Sequence, residues 1–432
     1  MKKIGWITGK KKLLRLAGLS LMGVLLLSGC GNTGKSAVAA ASSTSASETS
    51  NEAGKGSKVS QPAENVDAQV AEASLPQPGE AISASLAWKS RMELAYATQF
   101  AVDTYEDADG MQYEAVSVAD GSRFLLIPEG GKVPEDLPDS IQVLKRPVKQ
   151  IYLVATATMD MFRMLGALPD IRFSGTDASG WYIPEAKEAM ENGSILYAGK
   201  YSEPDYETLV DGDCDLAIES TMILHTPKVQ EMIEDLGIPV FVDYSSYESH
   251  PLGRTEWIKL YGALLNKEEE ADTFFDQQAH VIEELKGFEN TEKTVAYFYV
   301  STDGSIVVRK SDDYIPSMIE IAGGRYAFKD LKNPDSNAPS VKLTMEEFYA
   351  TAVDADYLIY NGTIDGQVNS ISELEAKNEL FSEFKAVKDG NVWYTGKNLY
   401  QATDTVGELI KDMHLMLTDG DASQMTFLEK ME

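Results

Sequence analysis

Two series of short apolar runs alternating with helical patterns, interrupted once by a long amphipathic stretch, restrict this chain to very few folds. Residues 151–155, 171–175, 196–198, 216–220 and 240–243 are short and mostly apolar, as strands buried on both faces are. Between them, 159–168, 184–192, 206–209 and 227–236 place apolar residues at helical spacing. The rhythm then breaks. Residues 255–265 are helical, Asn266 can end that helix, and 267–287 read as one long amphipathic helix. Glu268, Glu269 and Glu270 fall in its first turn, where the helix dipole favours acids, and no proline or internal glycine interrupts it before its end. The rhythm restarts with strands at 294–300 and 305–308, a helix at 314–322 stopped by Gly323-Gly324, and a helix at 345–352. A strand at 356–360, a helix at 371–378, a strand at 391–394 and a helix at 403–417 complete it. The expected fold is α/β: two Rossmann-like lobes with mostly parallel sheets, joined by one long interlobe helix.

The segment before this body is of another kind. Residues 1–15 are basic and 16–27 apolar, a length that suits a signal peptide and is short for a bilayer span. Leu27-Ser28-Gly29-Cys30 follows and looks like a lipoprotein lipobox, making Cys30 the expected lipidation site. Several acyl chains on one residue would hold the protein stably at a membrane. Residues 30–85 are rich in Ser, Ala, Gly and Glu, with no aromatic residue from Gly31 on, and are expected to form a disordered tether. Residues 86–147 are expected to be an N-terminal hairpin extension, on the signal Ala119-Asp120-Gly121-Ser122 between two apolar runs. The remaining boundaries are 148–265 for the N-lobe, 266–288 for the connecting helix and 289–432 for the C-lobe, with the binding domain at about 148–424. The expected location is extracytoplasmic, lipid-anchored to the outer face of the cell membrane.

Charge narrows the function further. The chain carries 38 Lys and Arg against 68 Asp and Glu, a net −30, and six of the cations lie within the first 29 residues. A body this acidic repels phosphate backbones, so nucleic-acid partners are excluded. Two cysteines and four scattered histidines (His225, His250, His280, His414) build neither a disulfide framework nor a zinc motif. There is no Gly-x-Ser-x-Gly elbow, no Walker loop and no dinucleotide fingerprint. Cys214, at a strand edge, reads as an inert thiol. No catalytic residues, resident cofactor or metal site are expected; the chemistry is that of binding, and the chain is not expected to be an enzyme.

Three stretches carry a family resemblance. Pro204-Asp205-Tyr206-Glu207-Thr208-Leu209 precedes Asp215-Leu216-Ala217-Ile218; His250-Pro251-Leu252-Gly253-Arg254 leads into the connecting helix; and Leu343-Thr344-Met345-Glu346-Glu347-Phe348 precedes Asp354-Ala355-Asp356-Tyr357-Leu358-Ile359. With the lipobox and the two-lobed pattern, they resemble the iron-siderophore and cobalamin class of ABC-transporter substrate-binding lipoproteins, over residues 151–417. The first stretch departs from the family pattern, with Cys214-Asp215 where Pro-Asp is usual. The resemblance implies one permease-docking glutamate per lobe, Glu207 and Glu346, with Glu203 and Glu347 as neighbours that leave the register open. It also implies a monomer that delivers a small ligand, foremost a ferric siderophore, to membrane permease subunits. A corrinoid or haem receptor of the same class is the alternative, with Met159, His225 or His250 as an axial ligand. From another class, a surface adhesion or signalling lipoprotein has the same signature.

Ligands of open α/β sheets bind outside the carboxyl ends of the strands. That rule nominates Thr158, Met159, Trp181, Tyr182, Ser220, Thr221, Ser246 and Tyr247 in the first lobe. In the second it nominates Arg309, Lys310, Tyr314, Tyr360 and Asn361. Trp181 and Tyr182 are read as loop aromatics able to stack on a large ligand. Arg309 and Lys310, adjacent cations in a very acidic protein, suit an anionic chelate. Arg254 resembles a family position near the cleft floor and could equally cap the helix it precedes.

Overall fold

The computed structural model describes residues 75–285, 287–333, 338–364 and 368–432. The signal segment, Cys30 and most of the expected tether lie outside the described residues.

Order starts earlier than the composition suggests. The expected hairpin is the centre of a five-stranded sheet: β1 (Ala87–Arg91), β2 (Phe100–Glu106), β3 (Gln112–Val118), β4 (Arg123–Ile127) and β5 (Ile141–Lys145), in that order. All pairs are antiparallel except β4 with β5. One face gives Phe100, Val102, Val116, Phe124 and Leu126 to the main core. The other face packs Tyr105, Tyr113, Leu125 and Ile127 on Ile82 and Leu86, forming a second, small core. Residues 75–85 are therefore not tether. Ile82 is buried, Tyr105 donates to the Glu80 carbonyl at 2.6 Å, and Arg91 donates to the Pro76 carbonyl at 2.8 Å.

The N-lobe sheet comprises β6 (Ile151–Leu153), β7 (Ile171–Ser174), β8 (Leu196–Tyr197), β11 (Leu216–Ser220) and β12 (Val240–Asp243), while β9 (Gly199–Lys200) and β10 (Glu203–Pro204) form a separate small ribbon. Its order is β12-β11-β6-β7-β8 and every pair is parallel, as expected. Helices α1 (Thr156–Met164), α2 (Pro184–Glu191), α3 (Tyr206–Asp211) and α4 (Pro227–Asp235) connect the strands.

Helix α5 (Pro251–Leu265) is buried on nearly every side and ends on left-handed Asn266, the stop expected from the sequence. Helix α6 (Glu268–Leu285) then folds back along it. A Cβ on Gly262 would come within 2.8 Å of the Ala271 Cβ and 3.0 Å of the Lys267 carbonyl, so only glycine permits this approach. At 1.5 Å per residue α6 is about 27 Å long, enough to run from one lobe to the other.

The C-lobe contains β13 (Thr294–Val300), β14 (Ile306–Arg309), β15 (Arg325–Tyr326), β16 (Ser340–Leu343), β17 (Tyr357–Asn361), β18 (Val392–Thr395) and β19 (Leu428–Lys430). Its helices are α7 (Tyr314–Ile321), α8 (Met345–Ala352), α9 (Ile371–Lys377), α10 (Lys385–Lys388) and α11 (Val406–Leu417). As expected, the lobes are α/β with parallel-rich sheets; in the C-lobe the edges differ from the centre. The centre, β15 and β17 on β13 and β18 on β17, is parallel, but β14, β16 and β19 join antiparallel. The Ser301–Ser305 turn returns β14 directly against β13 with no crossover helix, which forces the antiparallel pairing.

One strand carries a cost. Glu219 in β11 is fully buried, and neither carboxylate oxygen has a partner among the described residues. Burial raises its pKa well above the ordinary value of 4.5, favouring the protonated carboxyl. The stability tied to that proton is complete below pH 4.5 and is lost as pH rises through the folded pKa. Glu219→Met, which removes an unpartnered polar group at similar length, is expected to raise stability by about 1–3 kcal/mol. Denaturant melts from pH 6 to 9 should show a flatter decline for the variant; an equal or steeper decline would refute this.

Candidate ligand-binding site

The carboxyl ends of the two lobe sheets face a seam between the lobes, and the sequence nominees divide there into sealed and available residues. Thr158 is sealed: its hydroxyl donates to Asp243 at 2.9 Å, and the Tyr261 hydroxyl donates to the same carboxylate. Met159 is wholly buried in the N-lobe core. Trp181 is not an exposed loop aromatic. It is 4% exposed, and its indole N–H reaches the Ser174 hydroxyl and the Thr176 carbonyl, both at 3.2 Å. Asp177 accepts from the Ser179 backbone N–H and caps the turn that folds Trp181 inward. Tyr182 does stand out, at 48% exposure. Ser220 caps the short turn beginning at Thr221, and both are half-buried. Ser246 is half-buried as well, and Tyr247 packs edge-on against Tyr244 at 5.5 Å.

The second-lobe nominees are brought together. The Arg309 guanidinium lies 5.9 Å from the centre of the Tyr314 ring, and Arg254, from the other side of the seam, lies 4.3 Å from it. Both distances are within cation–π range. Arg254 therefore faces the C-lobe; the α5 N-terminus is capped instead by the His250 ring, which accepts from the Leu252 N–H at 3.1 Å. Lys310 is buried next to Arg309, and Asp313, also buried, is 3.8 Å from the Arg309 guanidinium. Asn361 is buried at the end of β17, beside fully buried Tyr360. A narrow pocket opens at this place, lined by Arg254, Tyr314, Met318, Tyr400, Thr403 and Val406.

The sequence reading missed the segment after β18. Residues 399–405 form two tight turns, the second of them at 403–405 where the closing helix was expected to start, and they hold the lobes together. Gln401 donates to the Gly180 carbonyl at 2.9 Å and accepts from the Tyr182 N–H at 2.8 Å. Thr403 donates to the Ala157 carbonyl at 3.0 Å. Arg163 bridges Asp160 at 2.8 Å and Asp404 at 2.6 Å, and the Asp404 N–H donates to Asp160 at 2.7 Å. The strand-end rule that nominated the other loops applies to this one too. Its run of Thr and Asp before an apolar helix had been read as the helix itself.

Elsewhere, burial pushes the Cys214 thiol up to about 12, consistent with inertness. Among the described residues, no three His, Cys, Asp or Glu side chains gather as a metal nest, and no helix is long and apolar enough to cross a membrane.

Two α/β lobes joined through the buried helix α5 make up the body of the chain, with the pocket between α5, α7, the 399–405 turns and α11. The family model described as "Periplasmic binding protein" matches residues 153–399, more than half of the chain, and the chain belongs to that family. Binding proteins of this class deliver small ligands to ABC permeases. An uncharacterized lipoprotein of Methanocaldococcus jannaschii is 25% identical over 313 residues, covering 68% of this chain and 72% of its own length. A second uncharacterized lipoprotein of that organism is 26% identical over 325 residues, 72% of this chain and 80% of its own. Among solved structures, a periplasmic heme-binding protein from Pseudomonas aeruginosa superposes with a TM-score of 0.51 at 13% identity, over 66% of this chain and 98% of that one. A possible iron-binding periplasmic solute-binding protein from Staphylococcus epidermidis gives a TM-score of 0.50 at 18% identity, over 62% and 98%.

The seam is pH-sensitive by construction. Burial first, and then the neighbouring Asp404, raise the Asp160 carboxyl from 3.8 to about 7, against the opposing pull of Arg163. Glu185, 4.0 Å from Arg163, is the other acid facing this group. The stability linked to the Asp160 proton is complete below pH 3.8 and is lost as pH rises through about 7. Asp160→Asn keeps an acceptor for the Asp404 N–H and should remove this dependence, on the order of 2 kcal/mol, between pH 5.5 and 8. Thermal melts across that window check it; parallel curves for the two proteins would rule it out.

Proposed function

We propose that this protein is the extracytoplasmic, lipid-anchored ligand receptor of an ABC importer and that its ligand is an anionic iron chelate of the ferric siderophore kind. The observation that carries this reading is that Arg254 and Arg309 both approach the Tyr314 ring, at 4.3 and 5.9 Å, beside the seam pocket that Arg254 and Tyr314 line, with Asp313 the acid next to Arg309. In a chain of net −30, two half-buried guanidinium groups on one ring make a locally positive site that would attract an anionic ligand. The naming of the archaeal relatives as lipoproteins supports the anchor. Of the three axial candidates for the haem alternative, Met159 is sealed in the core and His250 is occupied at the α5 cap, which leaves His225, whose Nδ1 is buried without a hydrogen-bond partner among the described residues.

Ligand class is tested by thermal shift against a ferric hydroxamate, a ferric catecholate, haem and cobalamin. A ligand at 100 times its dissociation constant contributes about 2.7 kcal/mol, several degrees for a protein of this kind. A ferric chelate should give that shift, and Arg309→Gln and Arg254→Gln should each reduce it. A shift with cobalamin or haem alone would sink the iron-chelate reading.

Docking would use Glu207 and Glu346, exposed in the first turns of α3 and α8. Their neighbours are engaged: Glu203 pairs with Lys200 at 3.2 Å, and Glu347 closes a capping box by accepting from the Thr344 N–H at 2.8 Å. Glu207→Lys with Glu346→Lys should leave the melting temperature and ligand affinity near wild type while abolishing ligand uptake by cells. Wild-type uptake by the double variant would remove these two residues from the docking role.

A further inference from the structure

The Tyr400 hydroxyl ends between two donors of the C-lobe. Its oxygen accepts from the Arg309 guanidinium at 2.9 Å and from the Asn361 side-chain amide at 2.9 Å. One donor is charged and the other is a buried amide held at the end of β17, with its own oxygen accepting from the Thr363 N–H at 3.2 Å. Two converging donors, one of them a guanidinium, are stronger partners for an oxyanion than for a neutral phenol. Arg254, across the Tyr314 ring, adds positive charge to the same pocket. Tyr400 itself is only half-buried and rides on the segment 399–405, which β18 delivers into the seam.

We propose that Arg309 and Asn361 form an oxyanion subsite, that Tyr400 occupies it in the ligand-free protein, and that a carboxylate or phenolate oxygen of the ligand takes its place. This rests on the reading of the seam as the ligand site and adds the chemistry of one contact. It makes residues 399–405 an internal competitor. The apparent affinity for ligand is lowered by the fraction of molecules in which Tyr400 is seated. It also sets selectivity, because a neutral ligand gains nothing by displacing a hydroxyl that the same two donors already satisfy.

The experiment uses salicylate, a small probe with both a phenol and a carboxylate, titrated calorimetrically into the purified protein. Tyr400→Ala empties the subsite and is expected to bind salicylate about tenfold more tightly than wild type. Adding Arg309→Gln to that variant should return affinity to the wild-type level. Tyr400→Phe keeps the ring and its packing, so it serves if the alanine variant melts early; its gain is expected to be smaller but still dependent on Arg309. The proposal is overturned if neither Tyr400 variant binds salicylate better than wild type, or if the gain persists without Arg309. Failure of the chelate panel on wild-type protein, combined with an Arg309-dependent gain for salicylate, would discard the iron-chelate reading and leave the subsite standing.

Discussion

Helix α5 is the element around which everything else is placed, and its burial on nearly all sides is what makes that possible. A helix apolar all round must be covered all round, and three separate parts of the chain do so. Tyr261 binds Asp243 at the end of the N-lobe sheet, and Arg254 meets Tyr314 in the C-lobe. Glu256 accepts from the backbone N–H groups of Ala95, Tyr96 and Ala97 at 2.8–2.9 Å. Glu248, just ahead of the helix, takes the N–H groups of Thr98 and Gln99 and the Trp257 indole in the same way. Two buried carboxylates thus satisfy the backbone of the loop joining β1 to β2. Without such partners, burying either the acids or the amides would be expensive.

The same logic explains the seam between the lobes. The lobes meet through polar groups that each need a partner from the other side: Gln401 with Gly180 and Tyr182, Thr403 with Ala157, and Arg163 between two aspartates. Contacts of this kind fix orientation while each contributes little net stability.

Much of this was legible in the sequence. The buried parallel strands at Leu216–Ser220 and Val240–Asp243 appear at those residues because continuous apolar runs bounded by turn residues leave little choice. Asn266 was readable as a stop because few other residues adopt the left-handed conformation there. The edge strands β16 and β19 were not readable: Ser340–Leu343 and Leu428–Lys430 are short, half-polar and paired on one side. At the seam, adjacent cations after an apolar run nominated Arg309 and Lys310, and the structure sets Arg309 beside Tyr314 and Tyr400. Nothing local could show that Trp181 folds inward, since that depends on an indole N–H finding Ser174 and Thr176. Tyr400 was missed because its significance lies in two donors that are 39 and 91 residues away.

The five-stranded sheet ahead of the N-lobe changes what counts as the unit of this protein. The segment matching the family starts at residue 153, yet Phe100 packs edge-on against Trp257 at 5.0 Å, and Phe124 meets Phe241 at 5.6 Å. The apolar surface of α5 and β12 is completed by a sheet that the family definition leaves out. Cutting the chain at the family boundary would therefore not liberate a smaller receptor. It would strip the central pillar of one wall and take from Glu248 and Glu256 the backbone N–H groups of residues 95–99, leaving them, among the described residues, only the Trp257 indole and Lys259. Here heredity and thermodynamics draw the domain in different places, and the folding unit is the larger of the two.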